Sequence, residues 1–377
     1  MRGIDQLHQD RQVRLLMIHG MGSERCPGYS VRRDIGSGAG KPGAVTRIAE
    51  RLGACLPEGQ LDQLDRSCKE DDPDTYPKGI RLHTFDFATA GLGEECRSDV
   101  IEADGVAPLR VYEIYYTGEL EGRQKDLIDR EQDVMAGHRT CINCLIEESI
   151  LINGFGDAVA YLGEFGPRVR DAVRATVCQM MLEAPGVSPS RYGPEELRTG
   201  AACPRSLRDG NADFADVDVY VISHSLGSNI VFRSLIGETT GPHALAGMTA
   251  SQRLTAARAA TAFRSALRGA YLLANQDALL QLAGPAEDTT ATRIGASVRA
   301  MGGLPLDAEI VAFSDRNDIL SFALGKNACG EQESQCINAT LHVARMGIPF
   351  VFVNPVTAHT KYEEDDTVIR CIAEGCP

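Results

Sequence analysis

A serine between a strand-like run and a helix-like run is the residue of this sequence best suited to covalent chemistry. The apolar run 219–222 leads into Ser-His-Ser-Leu-Gly at 223–227, and a helical pattern follows. A sharp turn at such a junction lifts the hydroxyl of Ser225 above the sheet, and it requires small residues two positions before and after. Gly227 meets this requirement, and Ser223 is small but replaces the more common glycine. The pattern predicts a nucleophilic serine, and the alternative is a serine that only caps the helix.

A second short motif follows the first apolar run of the chain. Residues 13–18 have the pattern of a buried strand and end in the glycine-rich turn His-Gly-Met-Gly at 19–22. Together with the serine pentapeptide, this turn resembles the α/β-hydrolase family, particularly its lipase-like and esterase-like members. The resemblance implies that the main-chain N–H groups of Met21 and Leu226 form an oxyanion hole. The residues expected to shape the two turns are His19, Gly20, Gly22 and Gly227.

The resemblance also implies where an acid and a base lie, because the family's triad follows the chain order serine, acid, histidine. The predicted strand 309–313 leads into a loop in which Asp318 aligns with the acid and Asp315 with a residue that holds the turn. Asp315 is the alternative acid, and either aspartate could instead cap the next helix. His359 is the expected base, since it lies in a loop just beyond the predicted strand 349–353.

The other histidines near these motifs are expected to have structural roles. His19 shapes the glycine-rich turn rather than acting as a base. His224, inside the serine pentapeptide, is expected to face away from the hydroxyl. His342 lies in an alternating, strand-like segment, which favours a buried structural histidine.

The implied reaction is hydrolysis of a carboxylic ester through an acyl-enzyme, with a small-molecule or lipid ester as substrate. Neither an organic cofactor nor a metal ion is expected. An acyltransferase or thioesterase would use the same triad, because water and other acceptors compete for one acyl-enzyme. A catalytically silent binding protein of the same fold is the alternative from a different class. The sequence gives no indication of the oligomeric state.

Strand-like and helix-like segments alternate along the sequence and must position these residues. This alternation predicts an α/β fold with a mostly parallel sheet covered by helices on both faces. We expect one α/β-hydrolase domain over 1–377, with a helical, cap-like insertion at 118–210. The predicted strands are 13–18, 80–87, 109–116, 217–222, 269–274, 309–313 and 349–353. The predicted helices are 44–55, 126–137, 143–151, 155–182, 226–236, 251–268 and 365–373.

The charge and the cysteine content limit which partners the protein is expected to bind and in which compartment it is expected to fold. The 38 basic and 52 acidic residues give a formal charge of −14, which disfavours nucleic acid as a partner. No apolar run approaches the roughly 18–20 residues that span a bilayer. The 12 cysteines favour an exported protein with structural disulfides whose signal sequence has been removed, and a cytoplasmic protein is the alternative. Cys141 and Cys144 are expected in such bridges rather than in a redox pair or zinc site.

Overall fold

The computed structural model describes the residues that form a central sheet and its covering helices, namely 1–4, 11–20, 42–57, 80–89, 108–116, 156–163, 165–183, 217–234, 258–259, 261–281, 304–305, 307–325, 329, 333–343 and 355–376. The strands are β1 (Gln12–Ile18), β2 (Ala54–Cys55), β3 (Arg81–Thr89), β4 (Leu109–Tyr115), β5 (Val217–His224), β6 (Leu267–Leu273), β7 (Glu309–Asp315) and β8 (Cys336–Leu341). The helices are α1 (Ala44–Arg51), α2 (Gly156–Leu162), α3 (Phe165–Leu182), α4 (Leu226–Phe232), α5 (Asp277–Gln281), α6 (Pro355–Thr360) and α7 (Asp366–Glu374). Short 3₁₀ turns lie at Glu333–Gln335 and Tyr362–Glu364.

The eight strands form one sheet in the order β2-β3-β4-β1-β5-β6-β7-β8. The five pairs from β4 to β8 are parallel, whereas β2 pairs with β3 and β3 with β4 in antiparallel fashion. Every residue of β1, β4 and β5 is buried. Strands that are buried along their whole length are typical of a parallel sheet covered on both faces. The sheet is therefore mostly parallel and the fold is of the α/β type, as the sequence predicts.

Two layers of apolar side chains lie on opposite faces of the sheet, because neighbouring residues of a strand point to opposite sides. Leu16 and Ile18 of β1 belong to the layer that contains α3 and α4. Leu15 and Met17 belong to the layer that contains α1 and α7. Helices thus cover both faces of the sheet.

Four predicted helices have different boundaries in the structure. The predicted helix 155–182 contains two helices, α2, which ends at Leu162, and α3, which begins at Phe165. Helix α1 ends at Arg51, since Ala54 and Cys55 pair with β3 instead of extending it. The described part of the predicted helix 251–268 is helical at 258–259 and 261–266, and the predicted end is wrong because strand β6 begins at Leu267. Helix α4 ends at Phe232 and a π-helical turn follows at 233–234, and the predicted boundary at 236 lies outside the described residues.

Helix α3 lies within the range 118–210 that the sequence suggests as a cap. Its buried residues, including Val169, Val173 and Met180, belong to the same apolar layer as β1, β4 and β5. This helix therefore covers the sheet rather than standing apart from it. The remaining residues of the range, apart from 156–163 and Glu183, lie outside the described part of the chain, as do the predicted helices 126–137 and 143–151 and the predicted strand 349–353.

Within the part of the chain that the structure describes, two disulfide bonds join closely spaced cysteines. Cys329 is bonded to Cys336 with a Cα–Cα distance of 5.8 Å, and Cys371 to Cys376 with 4.9 Å. Both bonds are consistent with the structural disulfides that the cysteine content predicts. Cys141 and Cys144 lie outside the described residues. Among the helices that the structure describes, none combines the length and apolar character that crossing a membrane requires.

The carboxyl ends of β1, β5, β6 and β7 meet at one edge of the sheet, because these strands run parallel as neighbours. His19 and Gly20 follow β1, Ser225 follows β5, and the loop 274–276 follows β6. Asp318 lies just beyond β7. Open α/β sheets bind ligands at this edge, where loops from several strands converge.

Candidate active site

Ser225 occupies a constrained turn between β5 and α4. Its backbone angles are φ 54° and ψ −122°, a region that residues other than glycine rarely enter. Such a conformation costs about 1–3 kcal/mol and persists where the surroundings hold it. The N–H of Ser225 donates to the carbonyl of Leu273 at 2.8 Å, and the Ser228 hydroxyl donates to the Ser225 carbonyl at 2.6 Å. The neighbouring strand and the helix thus fix this turn from both sides.

Two glycines allow the end of β1 to touch the turn at Ser225. A Cβ atom added at Gly20 would lie 2.5 Å from the Cβ of Ser225, and one added at Gly227 would lie 2.5 Å from the carbonyl oxygen of Ile18. Neither contact is possible for a side chain. Ser223 occupies the position at which the more common form of this turn has glycine. Its side chain is fully buried, and its Oγ has no hydrogen-bond partner.

Ser225, His359 and Asp318 form a chain of hydrogen bonds. The Oγ of Ser225 lies 2.9 Å from Nε2 of His359. Nδ1 of His359 lies 2.9 Å from Oδ2 and 3.0 Å from Oδ1 of Asp318. All three residues are buried. A carboxylate at Nδ1 places the imidazole proton on that nitrogen, which leaves the lone pair of Nε2 to accept the serine hydroxyl.

Asp318 is held by two further hydrogen bonds. The N–H of Leu320 donates to its Oδ1 at 3.0 Å, and the hydroxyl of Tyr362 donates to its Oδ2 at 3.0 Å. Burial and the charge of Asp318 raise the pKa of Tyr362 far above its ordinary value, which keeps the phenol protonated and donating. The carboxylate therefore has fixed partners besides the histidine.

Asp315, the alternative acid, supports the loop instead of contacting His359. Its Oδ1 accepts the N–H of Asn317 at 2.7 Å, and its Oδ2 accepts the N–H of Val343. Its carbonyl accepts the N–H of Asp318 at 3.1 Å. These bonds join the end of β7 to the turn that presents Asp318.

His359 lies in the last turn of α6 rather than in a loop, which corrects the sequence prediction for this residue. Its carbonyl oxygen accepts a hydrogen bond from Nε2 of His224 at 2.8 Å. Burial, and next the nearby His359, lower the pKa of His224 from 6.5 to about 3. His224 is therefore a neutral donor that positions the main chain of His359, and this hydrogen bond is not to the Ser225 hydroxyl.

His19 is buried between two acidic residues at the end of β1. Its Nε2 contacts the carboxylate of Glu113, and its Nδ1 lies 4.0 Å from Glu363. Burial opposes the charged imidazolium, but the hydrogen bond and charge of Glu113 outweigh it and raise the pKa of His19. The hydroxyl of Tyr116 donates to the carbonyl oxygens of His19 and Gly20 at 3.0 and 3.2 Å. These contacts hold the start of the glycine-rich turn.

Of the two predicted oxyanion donors, the structure describes Leu226 but not Met21. Leu226 is buried at the first position of α4, directly after Ser225. Met21 and Gly22 lie outside the described residues. His342 is exposed just beyond β8, so its prediction as a buried structural residue is wrong. His342 continues the alternation of β8, in which Asn338 and Thr340 are also exposed.

Sequence reasoning missed two buried residues near this edge. Gln276 follows β6, and its Nε2 lies 3.5 Å from Nε2 of His359. Glu113 of β4 is buried against His19. The polar run Asn-Gln-Asp just after an apolar strand could have indicated that Gln276 lies at the site. A single glutamate within β4 gives no such indication for Glu113. Among the residues that the structure describes, no group of three or more His, Cys, Asp or Glu could hold a metal ion.

Comparisons with protein-family models, with curated proteins and with solved structures found no significant match to this chain.

Proposed function

We propose that this protein is a serine hydrolase of the α/β-hydrolase type that cleaves carboxylic esters of small molecules or lipids. The observation that carries the proposal is the buried chain of hydrogen bonds from Asp318 through His359 to the Oγ of Ser225. The strained backbone of Ser225 adds to it, since strain of this kind clusters at functional sites.

In the proposed reaction, Ser225 attacks the acyl carbon while Nε2 of His359 takes the hydroxyl proton. The carbonyl π electrons move to oxygen, where the main-chain N–H groups of Leu226 and Met21 would hold the oxyanion. The tetrahedral intermediate collapses to an acyl-enzyme, and the leaving alkoxide receives the proton from His359. Asp318 orients the imidazole and stabilises its positive charge during these steps.

Deacylation repeats the sequence with water. His359 takes one proton from the water as its oxygen bonds to the acyl carbon, and returns that proton to Oγ of Ser225 when the acid is released. The protein supplies every proton transfer from its own side chains. No cofactor is part of the proposed mechanism.

A catalytically silent binding protein of the same fold is less consistent with this arrangement. A binding protein has no need for a serine in a strained backbone conformation or for a histidine that is hydrogen-bonded on both ring nitrogens. Tyr362 also supports Asp318 from a fully buried position. The cost of maintaining these features supports an enzyme.

We also propose that the protein is exported. The two short-range disulfide bonds of the described residues, together with disulfide-bonded Cys55 and Cys178, favour an oxidising compartment. Mass mapping of the protein isolated from cell and extracellular fractions tests this proposal. Recovery of the protein in the cytoplasm with reduced thiols would contradict it.

Labelling with a fluorophosphonate, followed by peptide mass spectrometry, tests the proposed function. The wild-type protein should be labelled at Ser225, and Ser225→Ala should not be labelled. His359→Ala should be labelled about 10³-fold more slowly, because the serine loses its general base.

The matched control for labelling is Ser234→Ala. Ser234 is another buried serine near α4, and its hydroxyl donates to the carbonyl of Ile230 at 2.6 Å. This variant should be labelled at the wild-type rate. A folded wild-type protein that no fluorophosphonate modifies would reject the hydrolase proposal and favour the silent binding protein.

A further inference from the structure

We propose that the side-chain amide of Gln276 holds the acyl acceptor, the water that deacylates the enzyme, beside His359. This inference rests on the proposed function, since it concerns the second half of that reaction. Gln276 is fully buried, and its Nε2 lies 3.5 Å from the ring nitrogen that bonds the Oγ of Ser225. Its Oε1 is buried without a hydrogen-bond partner.

The unpartnered amide oxygen is the first reason for this proposal. A buried acceptor that forms no hydrogen bond costs roughly 1–3 kcal/mol, so it is expected where a ligand or a water molecule supplies the missing partner. Either end of the amide can face His359, because a half-turn about its last bond exchanges oxygen and nitrogen. The amide therefore faces the reacting nitrogen with one of its two polar atoms, and the other, bonded to the same carbon, keeps a free bonding position.

A rigid loop is the second reason, since it aims the amide at this place. Ala274, just before it, has φ 51°, and its N–H donates to the carbonyl of Phe313 at 3.2 Å. Asn275 exchanges hydrogen bonds with the main chain of Phe322 at 2.8 and 3.0 Å. The amide of Asn229 donates to Asp277 at 2.8 Å. The loop is thus tied to β7, to the loop after it and to α4.

The geometry of water explains why a second acceptor is useful there. An attacking water gives one hydrogen to Nε2 of His359, and its other hydrogen needs a partner in a site from which bulk solvent is excluded. Oε1 of Gln276 can accept that hydrogen. The water oxygen bonds to the acyl carbon, the first proton goes to His359, and the second stays on the product acid.

An alcohol acceptor lacks this second hydrogen. Its single O–H proton goes to His359, and its alkyl group takes the place of the hydrogen that Gln276 would accept. Loss of the amide should therefore slow hydrolysis more than alcoholysis. Acylation by a p-nitrophenyl ester should change little, because p-nitrophenolate departs without taking a proton.

The test compares acylation and deacylation in Gln276→Met, which keeps the side-chain length but cannot form the hydrogen bond. The substrate is the p-nitrophenyl ester that the wild type cleaves fastest in a series from acetate to decanoate. The burst rate reports acylation and the steady rate reports deacylation. We expect deacylation to fall about tenfold, the effect of one lost hydrogen bond, while acylation and fluorophosphonate labelling stay within twofold. In added methanol, the ratio of methyl ester to acid should rise several-fold.

The matched control is Gln335→Met. Gln335 is also a buried glutamine with an unpartnered Oε1, and its Nε2 donates to the carbonyls of Pro305 and Ala308 at 2.6 and 2.7 Å, before β7 begins. Its product ratio should equal that of the wild type. An unchanged ratio in Gln276→Met, or an equal loss of acylation and deacylation, would overturn the inference. Absence of labelling in the wild type would instead reject the proposed function itself.

Discussion

The hydroxyl of Tyr362 donates a hydrogen bond to Oδ2 of Asp318 at 3.0 Å. The same hydroxyl oxygen accepts the N–H of Asp315 at 2.6 Å, so the phenol bridges the end of β7 and the carboxylate beyond it. His359 bonds to the same carboxylate oxygen at 2.9 Å. Tyr362, in the 3₁₀ turn between α6 and α7, thus helps to determine how Asp318 faces the histidine.

Removal of the Tyr362 hydroxyl should lower the rate of catalysis more than it lowers the stability of the fold. In Tyr362→Phe the carboxylate loses a donor, and its orientation toward His359 becomes less defined. We expect kcat to fall about tenfold, with KM nearly unchanged, since one hydrogen bond is lost from the proposed catalytic chain. Steady-state kinetics with a soluble ester measure this.

The control for Tyr362→Phe is Tyr271→Phe. The hydroxyl of Tyr271 donates to the carbonyl of Arg2 at 3.1 Å, away from Ser225. Its kcat should equal that of the wild type. Equal losses in the two variants would mean that Tyr362 acts through general stability.

The two aspartates after β7 should differ sharply when each is changed to asparagine. Asp318→Asn no longer fixes the proton on Nδ1 of His359, and we expect kcat to fall on the order of 10³–10⁴-fold with the fold intact. Asp315→Asn should lower the urea midpoint, because its carboxylate accepts the main-chain N–H groups of Asn317 and Val343. Kinetics and urea unfolding on both variants separate these effects. The reverse pattern would make Asp315 the acid.

Gly20→Ala should abolish esterase activity. The added Cβ would lie 2.5 Å from the Cβ of Ser225 and 2.7 Å from the carbonyl of His224, so the turn must shift. We expect a loss of stability of about 1–3 kcal/mol, typical of an overpacked site, and a far slower reaction with fluorophosphonate. Gly163→Ala is the control, because its nearest contact would be an ordinary 3.4 Å. Normal labelling of Gly20→Ala would show that the close approach is not needed.

The pH dependence of stability should contain a contribution from His224 on the acid side. Its pKa is about 3 in the folded protein, against an ordinary value of 6.5. Between these values the unfolded chain binds a proton that the folded protein does not, so stability falls as the pH decreases from 6.5 toward 3. His224→Gln should remove up to about 1.4 kcal/mol per pH unit from this slope.

Urea unfolding at several pH values between 4 and 8 measures the effect. His342→Gln, a change at an exposed residue, should leave the slope unaltered. His19 acts in the opposite direction, since its raised pKa gives stability that is lost as the pH rises above 6.5 through the folded value. An identical acid slope in wild type and His224→Gln would contradict the prediction.

Local patterns in the sequence were enough to predict six of the eight described strands and the turn at Ser225, whereas β2 and β8 were not predicted. A run of apolar residues followed by small residues and a helical period is encoded within about a dozen positions, because burial and backbone sterics act on neighbours. The same reasoning placed β1, β3, β4, β5, β6, β7 and α7 close to their observed boundaries. The resemblance to a known family then supplied the expected order of serine, acid and histidine.

The tertiary structure determined which residues distant in the sequence lie in contact. The hydrogen bonds of His359 join it to residues 134 and 41 positions away in the sequence. The choice between Asp318 and Asp315 depends on which of the two carboxylates lies against His359 in the folded protein. Gln276 and Glu113 acquired their places because parallel strands bring distant loops to one edge of the sheet. The sequence by itself determined which residues are capable of the chemistry. Only the packing of the sheet and helices determined which of them meet, because distances between remote segments follow from the whole core and not from any local pattern.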